Sequence, residues 1–387
     1  MDTKRPLPLL GGLSAAAFMR RHWQKKPLLV RGALGAGALP GLDRRRLFEL
    51  AARDDVESRL VVNEGDRWSV RHGPMSRRAL PPLSKPGWTL LVQGVDLHDD
   101  EAHRLLARFR FVPDARLDDA MLSFASDGGG VGPHVDSYDV FLLQLAGRRR
   151  WRVGRVARPR LRDGVPLKML AGFMPSHEWL VGPGDLLYLP PGWGHEGTAV
   201  GPCITCSIGF RAPRALELAG ATLQRIADAG TDAGAGIGKA KRRGGAIYKD
   251  PSQQATSHPA RIPPALQAFA DAAIRQALGE ARTRRRALGE VLSEPKPGTW
   301  FERIDAAPAD GDVALDRRSR MLYDDEYVYV NGESYRAGGK DAKLMRGFAD
   351  ERRLGAADVR RLGARARSLL VGWIEAGWCA SPDSALS

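Results

Sequence analysis

Cysteine is scarce in this sequence, with three residues among 387. So few thiols exclude a disulfide-stabilised scaffold and are typical of a protein from a reducing compartment. Cys203 and Cys206 form an isolated CxxC, and no second ligand pair follows at a matching spacing. Because structural zinc needs four such ligands, we interpret these two cysteines as small apolar residues of one strand or loop.

Long apolar runs are also absent. No stretch of about 18 apolar residues occurs, so no membrane-spanning helix and no membrane partner are predicted. The N-terminal MDTKRPLPLLGG holds only a very short apolar segment interrupted by prolines, unlike the core of a signal peptide. We therefore expect a cytoplasmic protein.

Acidic residues are in the minority, 45 against 59 lysines and arginines, and the formal net charge is +14. Such a balance favours contact with polyanions such as RNA, DNA or a ribosome. An arginine-rich composition inherited from a GC-rich genome would give the same balance. The charge alone therefore assigns no partner.

The first half of the chain has helices near its start and strands after them. We predict helices at Ala15–Trp23 and Asp99–Phe109, and strands at Ser58–Ser69 and Trp88–Val95. From Met121 to Arg211, short strands alternate with turn signals about every 8–12 residues, a pattern typical of a β-sandwich or barrel.

The second half is helical and then mixed. ALELAGATLQRIADAG has its apolar residues near a helical period, and a flexible basic insert follows at 229–246. Residues 264–292 again predict a helix. Asn331-Gly332 lies between alternating runs and predicts a hairpin. With helices expected at 341–353 and 364–378, this layout predicts a small winged-helix domain.

These changes of pattern place domain boundaries near residues 214 and 285. The predicted fold class is α+β, with a β-rich domain at 1–214, a helical region at 215–285 and a winged-helix-like domain at 286–387.

The segment GGGVGPHVDSYDVFLLQLAGRRRWRV contains His134 and Asp136, two residues apart. Side chains at i and i+2 of a strand point to the same face, so this imidazole and carboxylate project into one space. His195, in GPGDLLYLPPGWGHEG, is our candidate for a third ligand from a facing strand. Two histidines and one carboxylate form the facial triad of non-haem Fe(II) oxygenases, which leaves positions open for a co-substrate and dioxygen.

An isolated HxD occurs often by chance, and a second motif gives this one its weight. Gly128 and His134 have the spacing of the start of the first cupin motif, and Gly184 to His195 have that of the second. The histidine and glutamate that usually complete the first motif are missing, since Asp136 replaces the histidine. Ala199 stands where an asparagine often closes the second. These departures favour the JmjC-type oxygenase branch over four-ligand cupins.

The arginine-rich run after this motif is predicted to be the next strand. Its alternation places Arg149, Trp151 and Val153 on one face, which we interpret as the barrel interior. A buried arginine is costly unless a carboxylate meets it. The distal carboxylate of 2-oxoglutarate would do so with bidentate geometry, and a structural aspartate or glutamate is the alternative.

These motifs resemble the bacterial ribosomal oxygenases. MLSFASDGGGVGPHVDSYDVFLLQLAGRRRWRVG and GDLLYLPPGWGHEG carry the resemblance, which extends to FMRRHWQKKPLLVRGAL, SIGFRAP and YKDPSQQATSHPARI and weakens in the last hundred residues. It implies an Fe(II)- and 2-oxoglutarate-dependent arginine hydroxylase acting on a large-subunit ribosomal protein. It also implies a double-stranded β-helix (cupin/JmjC) domain, a helical dimerisation domain and a winged helix, hence a homodimer.

The resemblance also assigns roles to residues. The family's iron ligands, its 2-oxoglutarate-binding arginine and a pocket serine map onto His134, Asp136, His195, Arg149 and Ser123. An arginine substrate needs a polar or acidic partner, and three side chains near the pocket are candidates: Asp127, Tyr138 and Ser207. Each could instead be a turn residue, a packed ring or a strand hydroxyl. The basic insert would add affinity for RNA or a ribosome.

Two alternatives remain open at this point. The chain could hydroxylate another protein target, for example a histidine of a different ribosomal protein. It could also be a DNA-binding regulator with a non-catalytic cupin sensor, although a sensor has no need for a full triad and a buried arginine. The acidic start of DDEYVYVNGESY argues against phosphate contact by this hairpin.

Overall fold

The computed structural model describes residues 2–231, 249, 262–304 and 311–381. The chain divides into two compact units, Met1–Ala212 and Pro213–Ser387. Most of the basic insert expected at 229–246 lies outside the described residues.

The first unit is a β-rich domain with three helices near its N-terminus. Its helices are α1 (Ala15–Arg21), α2 (Arg44–Ala51) and α3 (Asp100–Ala107), with single 3-10 turns at Pro8–Leu10, Ala36–Ala38, Arg77–Ala79 and Val95–Leu97. Its strands are β1 (Leu28–Val30), β2 (Ser58–Glu64), β3 (Arg67–His72), β4 (Trp88–Val92), β5 (Leu117–Ala125), β6 (His134–Val135), β7 (Val140–Arg155), β8 (His177–Val181), β9 (Leu186–Leu189) and β10 (Trp193–Phe210).

These strands form one ten-stranded sheet in the order β1-β9-β7-β10-β5-β4-β2-β3, with β6 paired to β10 and β8 paired to β7. All of its pairs are antiparallel. One face carries the main apolar core, in which Phe18, Phe141 and Tyr188 are almost fully buried. The side chains that alternate with this core line a cavity, described below.

The turn signals predicted only short strands between residues 121 and 211, and this prediction is wrong for two of them. β7 has 16 residues and β10 has 18. Glycine bends these strands instead of ending them: Gly147 has a φ of 64°, and a Cβ there would overlap the carbonyl oxygen of Pro202. The register between β7 and β10 shifts between Val200 and Ile204, which is the signature of a bulge.

The structure also decides the predictions for residues 58–69 and for the two cysteines of the CxxC. The single strand expected at 58–69 is a hairpin of β2 and β3, because Gly65 has a positive φ of 69° and reverses the chain. Cys203 and Cys206 both lie on β10 as buried free thiols, as their interpretation as small apolar residues requires.

The second unit starts with helices and ends with a mixed domain. Its helices are α4 (Ala215–Thr231), α5 (Pro264–Gly279), α6 (Ala281–Ser293), α7 (Gly339–Glu351), α8 (Ala356–Arg361) and α9 (Ala364–Glu375). Its strands are β11 (Val313–Leu315), β12 (Met321–Tyr323), β13 (Tyr327–Val330), β14 (Glu333–Arg336), β15 (Arg353–Leu354) and β16 (Cys379–Ala380). The helix expected over 264–292 is therefore two helices, and α8 was not predicted.

The predicted hairpin at Asn331-Gly332 is confirmed. These residues join β13 to β14 with φ values of 49° and 87°, the positive pair that a two-residue type I′ turn requires. The strands pack with α7 and α9 around a second apolar core that includes Phe348 and Trp373. No helix among the described residues combines the length and apolar character needed to cross a membrane.

Candidate metal centre and its cavity

The HxD motif lies on a very short strand that is held by a long one. His134 begins β6, and its Cα is paired in register with His195 on β10. Asp136 follows β6 directly, so its side chain returns to the side of His134. Gly132, just upstream, has a φ of 75° and lies against Met169, where a Cβ would overlap that side chain. The glycine-rich approach therefore lets the backbone fit between β10 and the loop that carries Met169.

The three candidate ligands converge on one point. His195 Nε2 lies 3.6 Å from Asp136 Oδ2, and His134 Nε2 lies 3.9 Å from the same oxygen. The potential ligand atoms of the three residues all lie within 4.8 Å of one another, and no other such group of three occurs among the described residues. This is the two-histidine, one-carboxylate arrangement expected from the sequence.

Backbone carbonyls fix which nitrogen of each ring is free. His134 Nδ1 lies 3.0 Å from Gly132 O, and His195 Nδ1 lies 3.2 Å from Trp193 O. A carbonyl oxygen only accepts, so each Nδ1 carries the proton and each Nε2 presents a lone pair to the shared point. The two rings are thus held in the tautomer that a metal ion needs.

Burial shapes the electrostatics of this point. It lowers the pKa of His195 well below its ordinary value, and the neighbouring His134 lowers it further. Burial also raises the pKa of Asp136, although His134 and a hydrogen bond from Tyr138 oppose that effect. A neutral imidazole and a desolvated carboxylate are groups that a divalent cation would stabilise.

The triad lies in a cavity of about 420 Å³ inside the first unit. Residues of β2, β3, β4, β5, β6, β7 and β10 line it. Five of the other residues singled out from the sequence also contribute to its wall: Ser123, Tyr138, Arg149, Trp151 and Ser207. A volume of this size accommodates a small co-substrate and an inserted side chain.

Arg149 is buried in this wall, as strand alternation predicts, with 5% of its surface exposed. Its Nη1 donates to Thr205 Oγ1 at 3.1 Å and to Ser123 Oγ at 3.3 Å, and its Cζ lies 5.4 Å from the ring centre of Trp151. Burial lowers the pKa of Arg149, and no carboxylate of the described residues offsets this effect. The structural acid considered as its alternative partner is therefore not found in the part of the chain that the structure describes.

The structure separates the three candidate substrate residues. Ser207 and Tyr138 line the cavity, and burial and the nearby Asp136 raise the pKa of Tyr138. Asp127 does not line it: it is exposed, and its Oδ1 accepts a hydrogen bond of 2.7 Å from the amide of Gly201. Asp127 is thus a turn residue, one of the two interpretations given for it above, and its position lends no support to a substrate role.

Several polar residues of the site were missed in the sequence. Thr205 holds Arg149 and itself donates to Gln144 at 3.0 Å. Asp118, Asp119 and Arg59 line the cavity. Strand alternation backward from Ser123 would have found Asp119, and alternation from Ser207 would have found Thr205. Nothing in the spacing pointed to Arg59, because β2 lies far upstream of both motifs.

Comparisons with known proteins agree with this geometry. Residues 104–218 match the JmjC domain and residues 265–380 match the ROXA-like winged helix. The ribosomal protein uL16 3-hydroxylase of Escherichia coli is 33% identical over 327 residues, which cover 82% of this chain and 84% of that protein. These matches confirm the predicted fold class, including the winged helix.

Solved structures give the same result. The X-ray structure of E. coli YcfD has a TM-score of 0.80 at 28% identity and covers 95% of this chain and 98% of that one. A structure of YcfD, described as a ribosomal oxygenase, in complex with cobalt and 2-oxoglutarate has a TM-score of 0.71 at 29% identity over 94% of this chain and 96% of that one.

Proposed function

Because this chain belongs to the bacterial ribosomal oxygenases of the JmjC type, we propose that it uses Fe(II), 2-oxoglutarate and dioxygen to hydroxylate an arginine side chain of a large-subunit ribosomal protein. The observation that carries this proposal is that the triad shares one cavity with Arg149, a buried cation that no carboxylate of the described residues neutralises.

The donor set fits Fe(II). Two imidazole nitrogens and one carboxylate oxygen converge, and the hydrogen bonds from both Nδ1 groups hold the rings in place. Three protein ligands on one side leave the opposite side of an octahedral ion for small molecules. Ligand type sets preference and not identity, so another divalent ion could replace iron in purified protein.

Arg149 fits the distal carboxylate of 2-oxoglutarate. Its guanidinium is buried, its Nε has no hydrogen-bond partner among the described residues, and Ser123 and Thr205 fix its Nη1. A carboxylate placed against this face would satisfy the free donor and compensate the buried charge. Ser123 then acts by positioning the arginine.

The protein's own contribution to the reaction is to bind, orient and exclude water. When bound, Fe(II) with 2-oxoglutarate and dioxygen supplies the chemistry that hydroxylates an unactivated carbon and releases succinate and carbon dioxide. The triad would set the reacting position, and Arg149 and Trp151 would orient the far end of the co-substrate. The apolar neighbours Val140 and Leu142 keep this region dry.

An arginine substrate is supported by the acidic wall of the cavity. Asp118 and Asp119 both line it, and the side chain of Asp118 is 44% exposed although it also lies 3.6 Å from Nε of Arg211. A carboxylate at the cavity wall would pair with an entering guanidinium through charge-assisted hydrogen bonds. The ring of Tyr138 offers a face for the same cation, and Ser207 a further acceptor.

The proposed partners are a ribosomal protein and a second copy of the chain. α4 and α5, in the region assigned above to dimerisation, expose apolar side chains at Leu216, Leu223, Leu266 and Ile274. These residues support a homodimer, which light scattering on the purified protein would test. A cytoplasmic location and a contact with ribosomal RNA through the basic surface complete the proposal.

Mass spectrometry of ribosomal proteins incubated with purified protein, Fe(II), 2-oxoglutarate and air tests this function. We expect one added oxygen atom on an arginine of uL16, absent with His134→Ala. Oxygen added to a histidine would move the assignment to the alternative target. If neither succinate nor a modified peptide is formed, the result would contradict the oxygenase and favour a cupin sensor.

A further inference from the structure

The cavity contains hydrogen-bond donors that the described residues leave unused. Arg59 Nε, Arg149 Nε and Trp151 Nε1 are buried nitrogen atoms without a partner, and all three residues line the cavity. Buried polar atoms in proteins are almost always paired with protein, water or a ligand, so three unpaired donors on residues that line one cavity point to a polar ligand there. All three atoms are donors, and the ligand must therefore supply acceptors.

Arg59 lies at the far end of a row of paired residues whose other end the side chain of Arg149 contacts. Across the sheet, Thr205 is paired with Ser123, Ser123 with Leu91, and Leu91 with Arg59. Arg149 contacts the hydroxyls of Thr205 and Ser123. Because neighbouring strands are about 4.8 Å apart, the backbone of Arg59 lies roughly 10 Å from that of Ser123.

The proposed co-substrate leaves nothing for Arg59 to bind. In the proposed function, one end of 2-oxoglutarate would be held at the triad, and Arg149 would bind the carboxylate at the other end. 2-Oxoglutarate has no acceptor beyond its keto group and two carboxylates, so the unpaired Nε of Arg59 points to a different molecule.

Arg59 is also less well paired than comparable arginines. Its Nη2 donates a long hydrogen bond of 3.4 Å to Gln93 Oε1. On β7, by contrast, Arg152 meets Glu196 at 2.9 Å and Arg150 meets Glu178 at 3.3 Å. Gln93 orients the guanidinium of Arg59 without neutralising it.

We propose that Arg59, oriented by Gln93, binds an oxygen acceptor of the substrate polypeptide, a carboxylate or a main-chain carbonyl, beside the hydroxylated residue. This inference rests on the proposed function. Asp119 accepts the amide of Gly94 at 3.0 Å, which places an acidic residue next to Gln93. This end of the cavity therefore offers both signs of charge, for the target guanidinium and for the chain that carries it.

The position of Arg59 in the sequence agrees with a role in recognition. Arg59 and Gln93 both precede residue 104, where the match to the JmjC domain starts, whereas the triad and Arg149 lie within the match. The shared chemistry and the residue that selects the polypeptide would thus come from different parts of the first unit.

Peptide binding to the full chain tests this role directly. The affinity of a fluorescent uL16 peptide is measured with Mn(II) and 2-oxoglutarate in the absence of oxygen, for wild type, Arg59→Met and Arg59→Lys. Arg148→Met, an exposed arginine on the outer face of β7, is the matched control. Loss of a charge-assisted hydrogen bond should raise the peptide Kd of Arg59→Met roughly tenfold to a hundredfold.

The same variants keep this inference apart from the proposed function. Turnover by wild type tests the proposed function. The ratio of the peptide KM and Kd of each variant to those of wild type tests the role of Arg59. We expect Arg59→Met to raise KM for the peptide but to leave KM for 2-oxoglutarate within twofold, with partial recovery in Arg59→Lys. A peptide Kd unchanged by Arg59→Met, or a raised KM for 2-oxoglutarate, would overturn the role of Arg59 and leave the oxygenase intact. Wild type that neither binds nor modifies uL16 would overturn both.

The acceptor itself is identified by changing the peptide. Where amide replacement of the peptide's acidic side chains removes the difference between wild type and Arg59→Met, the acceptor is a carboxylate. A difference that persists in the amide peptide assigns a main-chain carbonyl. Both results support the proposal.

Discussion

At the scale of single residues, the three candidate ligands reach one point through two different features of the chain. His134 and Asp136 are brought together locally, since they are two residues apart around a short strand. His195 joins them only because β10 pairs with β6 in a register that sets it opposite His134. The first feature is visible in the sequence, and the second requires the sheet.

Replacing Asp136 with asparagine should remove most of the metal affinity. The amide keeps the shape but not the negative charge that holds a divalent ion between two neutral imidazoles. We expect the dissociation constant for Mn(II) or Co(II), measured by equilibrium dialysis, to rise by about a hundredfold or more. Asp127→Asn makes the same chemical change outside the cavity and should bind metal like wild type.

Replacing Arg149 with methionine should separate co-substrate binding from stability. KM for 2-oxoglutarate should rise by roughly a hundredfold, because a buried charge-assisted pair is lost. The free energy of unfolding of the metal-free protein should stay the same or rise, since the cation removed is buried without a carboxylate. Arg150→Met, on the exposed face with Glu178, is the control for urea unfolding and kinetics. A large loss of stability in Arg149→Met would contradict this reasoning.

At the scale of elements, the termini of strands are held by a few polar groups. Asp185 precedes β9 and accepts hydrogen bonds from the amides of Gly182 and Gly32 and from Arg31, which follow β8 and β1. Burial alone would raise the pKa of Asp185, but these hydrogen bonds outweigh it and lower the pKa. The carboxylate therefore joins three segments of the first unit.

Asp185→Asn should cost about 1–3 kcal/mol of unfolding free energy at neutral pH, because charge-assisted hydrogen bonds are lost. A carboxylate with a lowered pKa stabilises the fold above its unfolded value of 3.8, and this contribution is lost as the pH falls through the folded pKa. Urea unfolding should therefore show a lower unfolding free energy for the variant than for wild type at pH 7. This difference should narrow below pH 3.8. Asp66→Asn, which removes an exposed partner of Arg162, should show no such difference at either pH.

The elements also show how far sequence reasoning reaches. Alternation placed Arg149 and Trp151 inside, and the NG turn placed the hairpin of β13 and β14, because both depend on neighbouring residues. The prediction of short strands was wrong for β7 and β10, because a glycine at a bulge and a glycine at a turn give the same local signal. The contribution of Arg59 to the cavity was missed, because it depends on pairing between β2 and β4.

At the scale of the whole molecule, the described cavity belongs to one unit. Its lining residues all lie between Arg59 and Gly209, and the first compact unit ends at Ala212. Among the described residues, the walls of this cavity are therefore built by the first unit alone.

A fragment of residues 1–212 should therefore bind Mn(II) and 2-oxoglutarate with affinities within about threefold of the full chain. Calorimetry with each ligand provides the measurement, and circular dichroism checks that the fragment is folded. Turnover of the proposed ribosomal-protein substrate should fall by a larger factor than these affinities if the second unit holds the substrate or a second copy. A folded fragment that binds no metal would show that the site depends on the rest of the chain.

β10 pairs with three other strands and also carries His195, whereas β3 is the last strand of the sheet and β2 its neighbour. A change in β10 disturbs folding and chemistry together, so selection should hold it nearly constant. β2 carries none of the triad, so we expect new side chains there to leave the reacting centre in place. An enzyme built in this way can change its target over evolutionary time while inheriting its reaction intact.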